Sequence, residues 1–172
     1  MFDSIDTRTY VLDTSVLLAD PAALGKFEEH EVVVPLVVLS ELEEKRAHPE
    51  LGFSAREALR RLESLRVEQG TLTAPIRVNE AGGTVRVELN SIDMSSLPGS
   101  FHTETNDHRI LAVARNLADK GLETVLVSKD LPLRLKAGVV DLHAEEYLNE
   151  LNEADGWTGM LEAQVTPGTV DE

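Results

Sequence analysis

The chain of 172 residues contains no cysteine. Disulfides and thiolate metal sites are therefore excluded, and a reducing cytosolic setting is the expectation. Aromatic residues make up only 4%, so no ready platform for stacking bases is evident. Long hydrophobic runs are missing as well. The longest, "VVVPLVVL" at 32–39, is broken by a proline and is far too short to span a bilayer. The opening "MFDSIDTRTY" is acidic and polar, unlike a signal peptide. No G-x-x-x-x-G-K-[ST] phosphate loop occurs. Positive charge is scarce in a patterned way. Residues 1–50 hold 4 Lys/Arg against 11 Asp/Glu, residues 51–140 hold 12 against 11, and residues 141–172 hold none against 9. A net charge of −15 argues against a general electrostatic pull on nucleic acid. Any such contact needs a local basic patch, a bound metal or a partner domain.

The composition that is present, 42% hydrophobic and 27% charged, is that of a globular protein. The length suits one domain, expected at 1–150, with an acidic tail or linker at 151–172. Strands are expected at "RTYVLD" (8–13), "EVVVP" (31–35), "TVLVS" (124–128) and "VVDL" (139–142). Helices are expected over 14–20, 37–48, 54–70, 105–121 with Thr105 or Asn106 at its cap, and 130–138, with a further helical start after 142. In the 54–70 helix, Ser54 and Glu57 read as a capping box and Leu59, Leu62 and Leu65, with Ala55 or Ala58, as the buried stripe. Residues 74–90 read as a hairpin turning at "EAGG", with Val85, Val87 and Leu89 on one face, and 91–104 as a loop. Strands alternating with helices, and strands apolar throughout, indicate an α/β fold: a mostly parallel sheet flanked by helices on both faces, with an inserted β-hairpin. Sites in such folds form beyond the carboxyl ends of the strands.

Four acids stand out. Asp13 and Asp130 each sit where a strand passes into a helix. Either one, alone, reads equally well as a helix cap. Asp107 alone reads as a first-turn acid favoured by the helix dipole. Glu41 alone reads as the partner of Lys45 one turn on. Taken together the reading changes, because strand ends gathered at one edge would bring the carboxylates together. Two unit charges ~4 Å apart cost about 4 kcal/mol at an effective dielectric of 20. A divalent cation removes that cost, and all-oxygen ligands suit Mg²⁺ or Mn²⁺. His102 and His108 flank Asp107, and exposed helix-start residues are the simpler reading for both. Trp157 reads as a docking or tail residue.

"YVLDTSVLL", "VLSELEEKR", "TNDHRILAVA" and "VSKDLPLRLKA" resemble the PIN domain, a metal-dependent ribonuclease fold, over roughly residues 8 to 145. The nearest resemblance is to PIN domains fused ahead of a PhoH-type ATPase in bacteria. It implies a parallel sheet with the acids at one edge and an acidic quartet at Asp13, Glu41, Asp107 and Asp130. It further implies one or two Mg²⁺ or Mn²⁺ ions. Asp13 and Asp130 would be direct ligands, Asp107 would bind directly or through water, and Glu41 would act from the surrounding layer or on a second ion. Thr14 or Ser15 matches the small hydroxyl after the first acid, and Ser128 joins Thr14 and Ser15 as an orienter of water or phosphate. The implied reaction is endonucleolytic hydrolysis of single-stranded RNA, leaving a 5′-phosphate and a 3′-hydroxyl. Lys45, Arg46, Lys129 and Arg134, with Arg56 and Arg60, are weaker candidates for phosphate contact, since exposed charges are mostly solvated. The resemblance also implies either an isolated domain, with a C-terminal PhoH-type ATPase absent, or a stand-alone relative, and it admits a homo-oligomer. One alternative is a non-catalytic acidic protein-binding module with the same fold. Another is a receiver-type phosphotransfer domain, for which Lys129 is suggestive but "VVVP" ends without an acceptor aspartate.

Overall fold

The computed structural model describes residues 6–148. The expected tail at 151–172, with Trp157, lies outside the described residues. Six strands form one sheet: β1 (Thr9–Leu12), β2 (Glu31–Pro35), β3 (Ile76–Arg77), β4 (Thr84–Glu88), β5 (Thr124–Ser128) and β6 (His143–Glu146), in the order β3-β4-β2-β1-β5-β6. Only β3 runs antiparallel, against β4. The register sets Leu12 beside Val127 and Val11 beside Val33, so β1, β2 and β5 end at the same edge. β1 and β5 are buried at every position, which covers both faces of the sheet centre. Five helices do the covering: α1 (Thr14–Ala19), α2 (Leu36–Glu44), α3 (Gly52–Gln69), α4 (Asn106–Asp119) and α5 (Leu131–Val139). The chain moves from β1 outward to β2, then later crosses back to β5 on β1's other side. Right-handed crossovers then place α1 to α3 on one face and α4 and α5 on the other. The gap between β1 and β5 is the point where the strand order reverses.

The hairpin is built as expected, though β3 is only two residues long. Asn79 fixes its turn. The side-chain amide donates to Glu28 O at 2.9 Å and Gly25 O at 3.2 Å, while Oδ1 accepts from Gly83 N at 2.8 Å. Gly83 lies so close to the 25–28 segment that an added Cβ would sit 2.1 Å from Glu28 O. The expected alternation fails at its end. Glu88 is buried and Leu89 is 46% exposed, because Glu88 is held by Arg86 and by the Asn90 amide at 2.9 Å. Two short 3₁₀ turns, Met94–Ser96 and Gly99–Phe101, punctuate the following loop.

Four further expectations are corrected. α2 ends at Glu44 rather than His48. His48 instead holds the turn that leads into α3, its Nδ1 accepting from Glu50 N at 3.1 Å and Leu51 N at 3.0 Å. The Ser54–Glu57 capping box does not form, because the helix has already begun at Gly52 with no side-chain cap. The buried face of α3 is Gly52, Ala55, Ala58 and Leu62, with Leu59 and Leu65 only half-buried. Small residues there let α3 approach its neighbours closely. Finally, 139–142 is not a strand. α5 runs to Val139, and Val140 N bonds back to Lys136 O and Ala137 O. Asp141 then turns in the left-handed region at φ 59°. The strand is the next segment, "HAEE", which pairs in parallel with β5 as a largely exposed edge. Its polar composition suits that position and carries none of the apolar pattern that marks a buried strand.

Candidate metal-binding site

Asp13 follows the last residue of β1 with extended backbone, and its amide donates to Val127 O at 3.0 Å. The parallel pairing of β1 and β5 thus sets Asp13 beside Ser128 at the reversal point. Asp13 is only 6% exposed. Its carboxylate does not cap α1. Oδ2 instead accepts from Ser15 Oγ at 2.6 Å and Ser128 Oγ at 2.8 Å. Backbone amides fix the direction of these bonds, since an amide can only donate. Lys129 N donates to Ser15 Oγ at 3.0 Å, and Asp130 N donates to Ser128 Oγ at 2.9 Å. Each hydroxyl therefore has its proton left for Asp13. Both bonds fall on Oδ2, and among the described residues none reaches Oδ1.

The other acids depart from their structural explanations in the same way. Asp130 occupies the N-cap position of α5 without a side-chain cap bond. Glu41 does not pair with Lys45; Oε1 accepts from Thr14 Oγ1, and Oε2 accepts from Asn106 Nδ2 at 3.2 Å. Asp107 lies in the first turn of α4, where the dipole alone would lower its pKa. Its pKa is raised instead. Burial is the main cause, the negative charges of Asp13, Asp130 and Glu41 add to it, and Lys136 partly opposes them. The four carboxylates drawn from the β1–α1 junction, α2, α4 and the β5–α5 junction therefore share one electrostatic field.

Among the described residues, no three His, Asp or Glu side chains form a preassembled ion cage. The donor set nonetheless fits a hard divalent cation. It consists of carboxylate oxygens, one of them, Oδ1 of the buried Asp13, receives no donor among the described residues, and the mutual repulsion on Asp107 is what a cation would relieve.

The remaining candidates separate clearly. Thr14, Ser15 and Ser128 are all at the site, but their hydroxyls are spent on Glu41 and Asp13. Lys129 and Arg134 are adjacent and already engaged. Lys129 Nζ donates to Tyr147 O at 3.2 Å; Arg134 Nη1 donates to Ser128 O at 2.9 Å, and its Nη2 lies 3.8 Å from Glu146. Lys45, Arg46, Arg56 and Arg60 lie in the α2–α3 layer, where Arg56 donates to Arg46 O and Arg60 pairs with Glu57. His102 is exposed, as expected, but His108 is buried. Its Nδ1 donates to Thr103 O at 2.8 Å, so Nε2 is an acceptor facing Lys136 Nζ at 3.5 Å.

Three participants escaped the sequence reading. Asn106 orients Glu41 but read only as a cap in "TND". Lys136 is the cation nearest in effect to Asp107, two turns into α5. Tyr147 ties β6 to the site: its amide reaches Ser128 O at 3.4 Å, and its hydroxyl donates to Asp20 Oδ2 at 2.6 Å. Burial, and then Asp20, push the Tyr147 phenol well above its ordinary range. Burial also pushes Asp20 up, but Lys26, Tyr147 and the Ala22 amide together outweigh it and leave Asp20 below the usual carboxylate range.

The fold and the placement of these acids define a class. A model of the PIN domain matches residues 10–148, and the chain belongs to that family. Among curated proteins it is similar to Protein PhoH2 of Thermobispora bispora, at 60% identity over 93% of this chain and 36% of the relative. It is likewise similar to Protein PhoH2 of Mycolicibacterium smegmatis, at 57% identity over 95% of this chain and 38% of the relative. Protein PhoH2 of Bacillus subtilis is 43% identical over 84% of this chain and 34% of that protein. The chain thus spans little more than a third of these relatives and corresponds to their N-terminal PIN part. Among solved structures, a domain of a functionally unknown protein from Methanocaldococcus jannaschii shares the fold. Its TM-score is 0.56 at 18% identity, covering 94% of this chain and all of that one. Membership places the chain in a superfamily of nucleases.

Proposed function

We propose that this chain is the divalent-metal-dependent endoribonuclease domain of a longer protein and hydrolyses phosphodiester bonds of single-stranded RNA. The observation that carries the reading is the buried Asp13 at the strand-reversal point, whose Oδ1 receives no donor among the described residues and whose charge acts with those of Asp130 and Glu41 on Asp107. Asp13, Asp107 and Asp130 would hold Mg²⁺ or Mn²⁺, with Glu41 completing the set. Such an ion supplies Lewis acidity at a phosphoryl oxygen and lowers the pKa of bound water. The chain's own hydroxyls and amides do the positioning. Ser15 and Ser128 fix the plane of the Asp13 carboxylate, and Thr14 and Asn106 fix Glu41. Thr14, Ser15 and Ser128 thereby act through the acids instead of contacting phosphate. Lys129 and Arg134 line the same edge, where a phosphate would compete for their present partners. The relatives' greater length supports a C-terminal partner domain of PhoH type in the full-length protein. Residues 1–150 would form the nuclease and 151–172 the connection.

The test is incubation of labelled single-stranded RNA with the protein, with and without Mn²⁺, beside Asp13→Asn. Cleavage should require the ion and fall at least 10²-fold in the variant, whose far-ultraviolet spectrum should match the parent. Equal cleavage by both proteins would remove Asp13 from the site. A complete lack of cleavage with any divalent ion would favour the non-catalytic binding module.

A further inference from the structure

Beside the acids, α2 and α4 enclose a groove of about 330 Å³, a volume at the lower end of small-molecule sites. Its floor and walls include Leu36, Leu89 and Ile92, which remain 47%, 46% and 62% exposed. Apolar side chains gathered in one concavity mark a binding surface more often than chance exposure does. The groove is joined to the acids by hydrogen bonds. Asn106 lines it and donates to Glu41 Oε2 at 3.2 Å, while Asn106 Oδ1 accepts from Arg109 Nη1 at 3.1 Å. Arg109 also lines the groove, and its guanidinium is more than a third exposed.

Resting on the endoribonuclease reading above, we propose that this groove is a nucleobase subsite. It would receive one unstacked base of single-stranded RNA, adjacent to the phosphate at the acids. A base needs an apolar face on each side, hydrogen-bonding groups at its edge, and positive charge near its phosphate. Leu36, Leu89 and Ile92 provide the first, Asn106 the second and Arg109 the third; Glu44 also lines the groove, and Arg109 Nη2 lies 3.4 Å from Glu104, a partner that a phosphate would displace. An arginine plane also stacks on bases. Other described aromatic rings are not free for that task. Tyr10, Phe27 and Tyr147 pack together, and Phe101 packs on His108. Phe53 is exposed, but on α3 and outside the groove lining. The groove also explains how an acidic domain with few aromatics engages single strands, and why duplex RNA, whose bases stay stacked, should be refused.

Two measurements on the 172-residue chain separate this subsite from the nuclease reading. First, Leu89→Ser and Ile92→Ser should raise KM for single-stranded RNA roughly five- to tenfold with kcat little changed. Oligonucleotides scanned with single abasic nucleotides should show one position beside the cut where wild type loses a similar factor and the variants lose none. Second, RNA carrying 4-thiouridine should photo-crosslink to Asp13→Asn protein within residues 36–40 or 89–92. Adding Ile92→Ser should remove most of that product. Unchanged KM together with crosslinks elsewhere would overturn the subsite while cleavage continued to support the nuclease. No cleavage by wild type would sink the nuclease, and the crosslinks would then decide the groove alone. If the variants altered only the oligomeric state, the groove would be a self-association surface and the subsite would be rejected.

Discussion

At the scale of single residues, the site depends on small polar groups that hold acids against one another. Ser128 joins three elements, donating to Asp13 and accepting from Asp130 N while its carbonyl accepts from Arg134. Ser128→Ala should leave a fully buried alanine in the same space and cost about 1 kcal/mol of stability. Cleavage should fall more steeply, roughly 10–100-fold, as for other groups that orient metal-binding side chains. A stability loss without a rate loss would assign Ser128 to folding alone. Asp107 tests the shared field directly. Its folded pKa is raised, so the folded state holds that proton more tightly than the unfolded chain does. The ionised carboxylate therefore destabilises the fold at neutral pH, and the penalty fades as pH falls below the ordinary carboxylate range. In EDTA, Asp107→Asn should raise Tm by a few degrees at pH 7 and have little effect near pH 3. A lower Tm at pH 7 would mean that Asp107 makes a stabilising contact instead. All four acids were legible in the sequence as strand-end and helix-start carboxylates. Their hydroxyl and amide supports were legible only as residue types, because which hydroxyl meets which acid depends on register between strands more than 100 residues apart.

At the scale of elements, apolar periodicity was a good guide wherever burial decided the structure. β2 and β5 stand at the boundaries their β-branched runs suggest, and of the two cap candidates Thr105 and Asn106 it is Thr105 that caps α4. The guide failed where polar contacts decided. β6 is an exposed edge strand of "HAEE", held by pairing with β5 and by Tyr147 behind it. α3 begins at Gly52, straight after a turn held by His48 and before the serine that resembled a cap. Two elements make testable anchors. Gly83→Ala would drive a methyl into the Glu28 carbonyl, and the hairpin should lose about 1–3 kcal/mol. Thermal unfolding checks this, and an unchanged Tm would show that the turn relaxes freely. Tyr147→Phe removes the hydroxyl that donates to Asp20. Because the folded pKa of Asp20 is depressed, the hydrogen bond from the neutral phenol to the ionised carboxylate stabilises above the ordinary carboxylate pKa and is lost as pH falls through the folded value. The variant should be less stable by about 1–3 kcal/mol at pH 7. The difference should shrink in strong acid.

At the scale of the whole molecule, sheet order does what no local segment can. It brings the ends of β1 and β5 together although they are more than 100 residues apart in the chain, and it sets α2 and α4 on either side of that edge. The net charge of −15 and the wholly acidic segment after residue 140 leave RNA binding to local features. Among the described residues no helix is long and apolar enough to cross a membrane. The family was readable from four phrases of sequence; the arrangement of the site required the topology. The claim on which the account rests is that carboxylates from separate elements serve one cation. Electron paramagnetic resonance of free Mn²⁺, titrated with the protein, tests it most directly. Wild type should remove one or two ions per chain from solution, and Asp13→Asn should remove markedly fewer while keeping its fold. Binding that is absent from wild type, or undiminished in Asp13→Asn, would contradict the shared cation site.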